Sequence, residues 1–287
     1  MSIKELFRKT EKLYHFTSFE TALKIIESNS LKFGRLNNMN DIHENDKISF
    51  VDGNERSSEK FPLEVLNELQ NEIYKYRQIS LTADAGKEDK NGFDLHQMWG
   101  LYADKGEGVC IVIDKNELEV NIDNEHIHND RVNYEDSKEL ESFVISESQK
   151  TEEVVAEIKA RVNDLFFYKR KEWEHEQEFR LLKRCPVATH EEYLSLGYAI
   201  KFIILTSKLR SIDETLYFNK IKDIKDKLNK VAEIRNEGML DCIPILIYGN
   251  SLFDYSLCTE DGEEELWNSN YGYDTLVIGE SCELALQ

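Results

Sequence analysis

Proline is nearly missing from this chain, with 3 residues in 287, and glycine reaches only 13. No Gly/Ser- or Pro-rich run separates one patterned stretch from the next, so nothing reads as an interdomain linker. Long apolar runs are missing too. No stretch approaches the roughly 20 residues needed to cross a bilayer, and the opening MSIKELFRKTEK has no signal-peptide apolar core. A cytoplasmic location away from membranes is the expectation. Cysteine is present without a framework: Cys110, Cys185, Cys242, Cys258 and Cys282 stand far apart and form no CxxC pair. That spacing argues against disulfide and zinc scaffolds. Positive charge is in deficit, 36 Lys+Arg against 56 Asp+Glu, a formal net charge of −20. A general nucleic-acid coat protein is thereby disfavoured, because each phosphate contact wants a cation. An enzyme with a local basic patch is not, and Lys169-Arg170-Lys171 or Lys201, Lys208 and Arg210 are candidates. Ordinary solvated charge is the alternative reading of both groups.

What the chain does have is a hydrophobic fraction of 40%, enough to close a sizeable core. Leu13-Tyr14-His15-Phe16 reads as a strand, and Thr17-Ser18-Phe19-Glu20 has capping-box spacing with Thr17 as N-cap. A helix then carries Ala22, Leu23, Ile25 and Ile26 inward and ends near Asn29. Residues 31–36 alternate as a strand does. Pro62 suits a first helical position, and Leu63, Val65, Leu66, Leu69, Ile73 and Tyr76 follow at helical spacing. Strands are expected at 79–82, 109–113, 178–183, 201–205, 243–248 and 253–257. Helices are expected at 95–102, over the stripe Val154 to Phe166, and over Ile221 to Val231. The stretch 114–151 is acidic and weakly patterned. Strands and helices mix without strict alternation, so the fold class is α+β. We expect one domain over residues 1–260, followed by an acidic tail, 261–287, folded loosely over the body.

Three features could carry chemistry. His15 lies between aromatics at a strand end, a setting that is more often structural. Asn40-Asp41-Ile42-His43-Glu44 is a polar loop whose Asn and Asp suit turn formation equally well. In Glu176-x-Glu178-x-Arg180 the alternation puts all three side chains on one face of a strand. Paired carboxylates raise one another's pKa, and an adjacent arginine opposes that. Such a face is either a salt-bridge ladder or the rim of an active site, and composition does not separate the two. His126-x-His128 has no third ligand nearby, so no metal is expected.

Taken in order, YHFTS, the NDIHE loop, SLT, MWGLYAD with its Gly-x-Cys strand, and WEHEQEFR resemble the DUF2971 family, a large and mostly bacterial family of unknown function. The order and spacing run from about Leu13 to Leu257. The chain departs at Ile42, where the family usually has proline, and in a charged insertion after Thr82. The family in turn resembles the ADP-ribosyltransferase fold of the His-Tyr-Glu kind, a split mixed β-sheet core with flanking helices. That resemblance implies NAD as substrate and, residue by residue, a site. His15 would bond ribose hydroxyls of NAD, on either the adenosine or the nicotinamide side. Thr17, Asn40 and Asp41 would lie along the cofactor. Ser80 and Thr82 would flank the nicotinamide, and Trp99 and Tyr102 would supply an aromatic surface for it. Glu178 matches the catalytic glutamate, with Glu176 completing the E-x-E arrangement. Arg180 would hold the carboxylates or contact an NAD phosphate.

The chemistry fits those residue types. Breaking the ribose–nicotinamide bond develops positive charge on the sugar, as in glycoside cleavage, and a fixed carboxylate stabilises that charge as it appears. Glu176 would orient or deprotonate the acceptor nucleophile. The expected activity is ADP-ribosylation of a macromolecule, nucleic acid or protein, in the manner of toxins and phage-defence effectors. It brings with it the expectation of an antitoxin or regulatory partner. NAD glycohydrolysis and a non-catalytic binding module on the same fold are the competing readings.

Overall fold

The computed structural model describes residues 11–36, 71–84, 91–135, 151–186, 190–206 and 213–235, three further strands between 245 and 268, and a few single positions. Its strands in chain order are β1 (Lys12–Thr17), β2 (Ser30–Lys32), β3 (Gly34–Arg35), β4 (Tyr76–Ala83), β5 (Val109–Asp114), β6 (Ile127–Arg131), β7 (Asn133–Glu135), β8 (Tyr168–Arg170), β9 (Glu178–Arg184), β10 (Tyr193–Ser195), β11 (Ile200–Thr206), β12 (Ile245–Tyr248), β13 (Asp254–Cys258) and β14 (Glu264–Asn268). α-Helices cover Phe19–Ser28, His96–Tyr102, Lys115–Glu119, Thr151–Ala160, Val162–Phe166 and Glu214–Arg235. No helix among the described residues is long and apolar enough to cross a membrane. The class is α+β, with mostly antiparallel pairing and a parallel pair at β11–β12.

The chain forms two compact units, each assembled from separated segments: residues 1–31, 81–122 and 194–287 in the first, 32–80 and 123–193 in the second. In the first, strands run in the order β14-β13-β12-β11-β5-β1, with the end of β4 beside β1. All six residues of β5 are buried, as a strand with neighbours on both edges and cover on both faces requires. One sheet face presents Tyr14, Phe16, Cys110, Val112, Phe202 and Ile204, and Phe93, Met98, Trp99 and Ala103 pack on it. Asp114 ends β5 and caps the next helix, accepting from Asn116 and Glu117 N–H. β14 pairs antiparallel with β13, so part of the expected tail belongs to the sheet.

In the second unit β9 lies between β4 and β6, and β3 pairs with β4. A separate two-stranded parallel ladder joins β7 to β8. The core holds Tyr76, Leu182, Ile158, Val162, Leu165 and Phe166.

Several local expectations are corrected. Thr17 is the last residue of β1, and the helix is capped one residue later by Ser18, whose Oγ accepts from Thr21 N–H. Thr17 is extended as β1's partner to Val109, so it is not available as a cap. Tyr76 opens β4 and stacks on Phe166 at 4.7 Å. Its apolar spacing from Ile73 fits a helix, yet the helix ends before it at a turn over Tyr74 and Lys75. The stripe Val154 to Phe166 breaks at Arg161 into two helices, because that residue's backbone leaves the helical region at φ −109°, ψ 26°. The weakly patterned stretch 114–151 contributes β6 and β7. The Pro62 helix start, Asn40, Asp41 and the rest of the NDIHE loop lie outside the described residues.

Candidate functional site

The expected site residues that the structure describes fall into two groups, one in each unit. The first holds His15, Thr17, Thr82, Trp99 and Tyr102. β1 alternates, so Tyr14 and Phe16 face the core while His15, partly exposed, faces the other way. Thr82 is Tyr14's register partner and shares its side of the sheet. Trp99 packs edge-on against Phe16 at 5.2 Å, and its indole N–H donates to the Phe93 carbonyl at 2.8 Å. At 4% exposure it presents no open aromatic face. The expectation that Trp99 lines a nicotinamide surface is therefore corrected: it is a core residue, on the side of the sheet opposite His15. Tyr102 is partly buried against the same cluster. A second fixed point in this unit is Asp84, whose Oδ1 accepts from Tyr14 Oη at 2.7 Å and Gly92 N–H at 2.9 Å.

The second group is where charge gathers. Glu178 opens β9 and Arg180 follows two residues on, so both side chains lie on one face. Arg180, fully buried, grips Glu178 with a fork: Nε donates to Oε1 at 2.8 Å and Nη2 to Oε2 at 2.9 Å. Its remaining arm, Nη1, donates to the Phe166 carbonyl. Glu176 is not on the strand. It ends a 3-10 turn over Lys171–Glu176, and Gln177 reverses the backbone with φ 47° before β9 begins. Alternation along a strand therefore does not bring Glu176 to Glu178. Lys169 does so, from β8: its Nζ donates to Glu176 Oε2 at 2.5 Å and lies 3.0 Å from Glu178 Oε2. Lys169 is itself buried, with its ammonium 5.3 Å from the Trp173 ring centroid. The expected surface patch at Lys169 is thus an interior ion network. Glu176, Glu178, Lys169 and Arg180 sum to zero charge.

Two hydroxyl groups complete the surroundings. Ser80 on β4 donates to the Glu178 carboxylate and is exposed. Gln78, two residues earlier on the same face, donates to Ser80 Oγ at 3.1 Å. Tyr134 on β7 is partly exposed, and its phenol oxygen accepts from Glu178 N–H at 2.8 Å. Tyr134 and Lys169 are register partners across β7 and β8, so one small ladder delivers both to Glu178. Burial alone pushes the Glu178 carboxyl up. The Arg180 and Lys169 cations, with hydrogen bonds from Arg180 and Ser80, outweigh it and hold the group well below the usual carboxylate range. Burial pushes the Tyr134 phenol above the ordinary tyrosine range.

Sequence reasoning found Ser80, Glu176, Glu178 and Arg180 and missed Lys169 and Tyr134 as members of this group. Lys169 looked like surface charge in a Lys-Arg-Lys run. Tyr134 sat in a stretch without periodicity, though the alternation of Val132 and Tyr134 among polar neighbours was a faint strand signal. Among the described residues no three metal-ligating side chains gather, and His126 bonds Asp123 through Nδ1 at 2.8 Å.

Chemically the group offers a carboxylate kept ionised at neutral pH, a second carboxylate tied to it through an ammonium, and two hydroxyls nearer solvent. No curated protein and no solved structure matches the chain. A family model does, that of a protein of unknown function (DUF2971), over residues 98–181, a span containing Trp99, Tyr134, Lys169, Glu176, Glu178 and Arg180. The family expected from the order of the motifs is the one whose model matches, over residues 98–181 of the 287.

Proposed function

We propose that the protein is an NAD-dependent ADP-ribosyltransferase of the His-Tyr-Glu kind that modifies a macromolecule, with Glu178 as the carboxylate that grips the ribose. The observation that carries this reading is the unequal character of the donors on Glu178. A carboxylate has about four lone-pair sites. Arg180 fills two and Lys169 a third, all from buried cations. The remaining donor, Ser80, is exposed. A ribose hydroxyl arriving from solvent can take the place of the Ser80 hydroxyl without disturbing any buried charge.

With the hydroxyl seated there, the C–N bond to nicotinamide breaks and its electron pair leaves with nicotinamide. Positive charge builds on the ribosyl carbon and ring oxygen, where ionised Glu178 stabilises it through the bound hydroxyl. The acceptor nucleophile forms the new bond to the ribosyl carbon and gives up its proton to Glu176, which Lys169 holds beside Glu178. Nucleic acid and protein acceptors fit this chemistry alike, and a toxin or phage-defence role with a regulatory partner is the setting the family resemblance favours.

One observation favours a second reading. Glu178 is already satisfied within the protein, which also suits a binding module that has no turnover. Labelled NAD, incubated with the protein and a cell lysate, separates these readings. Label on an acceptor supports transfer, and free ADP-ribose without an acceptor means hydrolysis. For the enzyme, Glu178→Gln should lower NAD consumption by about 100-fold or more, the scale of losing one transition-state electrostatic contact. If wild type consumes no NAD and Glu178→Gln changes nothing, the module reading replaces ours.

A further inference from the structure

β6 pairs with β9 as far as Arg131↔Phe179, and Val132 N–H still donates to the Glu178 carbonyl at 2.9 Å. There the chain leaves β9. Asn133 N–H donates to the Phe167 carbonyl, and β7 takes up its ladder with β8. Glu178 N–H is thereby left without a backbone acceptor, and the phenol oxygen of Tyr134 fills that place at 2.8 Å. A backbone carbonyl would serve the N–H equally well, but a phenol brings one thing more. With a lone pair engaged by Glu178 N–H, its own O–H remains to be donated. Among the described residues no side chain or carbonyl accepts it, and Tyr134 is partly exposed.

We propose that Tyr134 is a substrate-contacting residue of the Glu178 site, donating its hydroxyl proton to a sugar hydroxyl that neighbours the one bound by Glu178. A vicinal diol supplies both halves of that match. One hydroxyl donates to the carboxylate where Ser80 now does, and the adjacent one accepts from Tyr134. The Glu178 N–H fixes the phenol oxygen, so the donor is aimed before the ligand arrives. Burial pushes the phenol above the ordinary tyrosine range, so at neutral pH the protonated donor stands beside an ionised Glu178. This inference rests on the ribose reading of Glu178 and extends it to a second contact.

The test compares wild type with Tyr134→Phe, which keeps the ring and removes the hydroxyl. The probes are NAD, ADP-ribose and ribose 5-phosphate for equilibrium binding, and NAD for turnover. A melting curve of each protein confirms folding. Loss of one hydrogen bond should weaken binding of the ribose-bearing probes by about tenfold. NAD analogues lacking one or other hydroxyl of the nicotinamide-side ribose supply the readout that a structural role would not move. With the analogue missing the hydroxyl that meets Tyr134, wild type and Tyr134→Phe should bind equally. A uniform loss across all ligands, or no loss, overturns the Tyr134 assignment and leaves the NAD reading standing. Binding of ribose probes without NAD consumption overturns the enzyme reading, while the Tyr134→Phe comparison still decides this one. Failure of wild type to bind any of the probes overturns both.

Discussion

Arg184 holds Glu72 in the same forked manner that Arg180 holds Glu178, with Nε to Oε1 at 2.5 Å and Nη2 to Oε2 at 3.0 Å. Lys75 adds a third donor at 2.8 Å. Burial pushes the Glu72 carboxyl up, and the hydrogen bonds and charges of Arg184 and Lys75 bring it down to about 2. The folded value lies below the unfolded value of about 4.3. Glu72 therefore contributes stability that is present above about pH 4.3 and lost as the pH falls through about 2. Glu178, also depressed, acts with the same sign. Denaturation midpoints measured from pH 5 to pH 2 should fall for wild type and fall less for Glu72→Gln. Equal slopes for the two proteins would show that this pair does not govern acid sensitivity. At this scale residue types were legible and their partners were not. Glu178 and Arg180 stand two apart on a strand, so their meeting followed from spacing. Lys169 reaches Glu176 and Glu178 through the fold of a separate strand, and no local pattern reports that.

Among the elements, those that alternate or repeat over a full span were readable: β1, β5, β9, β11 and the helix Glu214–Arg235 all lie where periodicity puts them. Short elements that depend on a distant neighbour were not. β7 is three residues long and exists because β8 pairs with it. The 3-10 turn Lys171–Glu176 carries a strand-like alternation of acidic residues and is nonetheless a turn, ended by Gln177 in the left-handed region. Glycine placement gives a sharp test of element context. A Cβ on Gly108 would lie 2.3 Å from the Thr17 carbonyl oxygen and under 3 Å from Ala103 backbone, atoms that cannot swing aside. A Cβ on Gly100, within the helix His96–Tyr102, would meet nothing within 4 Å. Gly108→Ala should cost about 2 kcal/mol or more, whereas Gly100→Ala should gain roughly 0.5–1 kcal/mol from helix propensity. Urea denaturation of the two variants reads both signs at once, and a stable Gly108→Ala would mean that β1 and β5 can part more easily than their packing implies.

For the whole molecule the informative property is connectivity. Each unit is stitched from separated segments, 1–31, 81–122 and 194–287 against 32–80 and 123–193, so neither can be cut out as one continuous piece. A chain ending at Tyr193 would lack β11, which lies beside β5 in register from Ile200↔Ile113 to Leu205↔Val109. That would bare one edge of a strand whose six residues are all buried in the intact protein. The shortened chain should aggregate or bind an apolar dye strongly, and a soluble, cooperatively melting product would contradict the segment assignment. The α+β class was legible from the irregular sequence of strands and helices. The interleaving was not, because composition is uniform and pairings between distant segments leave no mark in local spacing.

The neutral sum of Lys169, Arg180, Glu176 and Glu178 bears on how this protein can change over descent. Each of the four is buried, so replacing one by a neutral residue leaves an uncompensated ion away from water, a loss of about 3–5 kcal/mol. Exchanging a cation and an anion together removes that penalty. Relatives that lack the lysine should therefore have discarded a carboxylate as well, and inheritance at these four positions should proceed in couples.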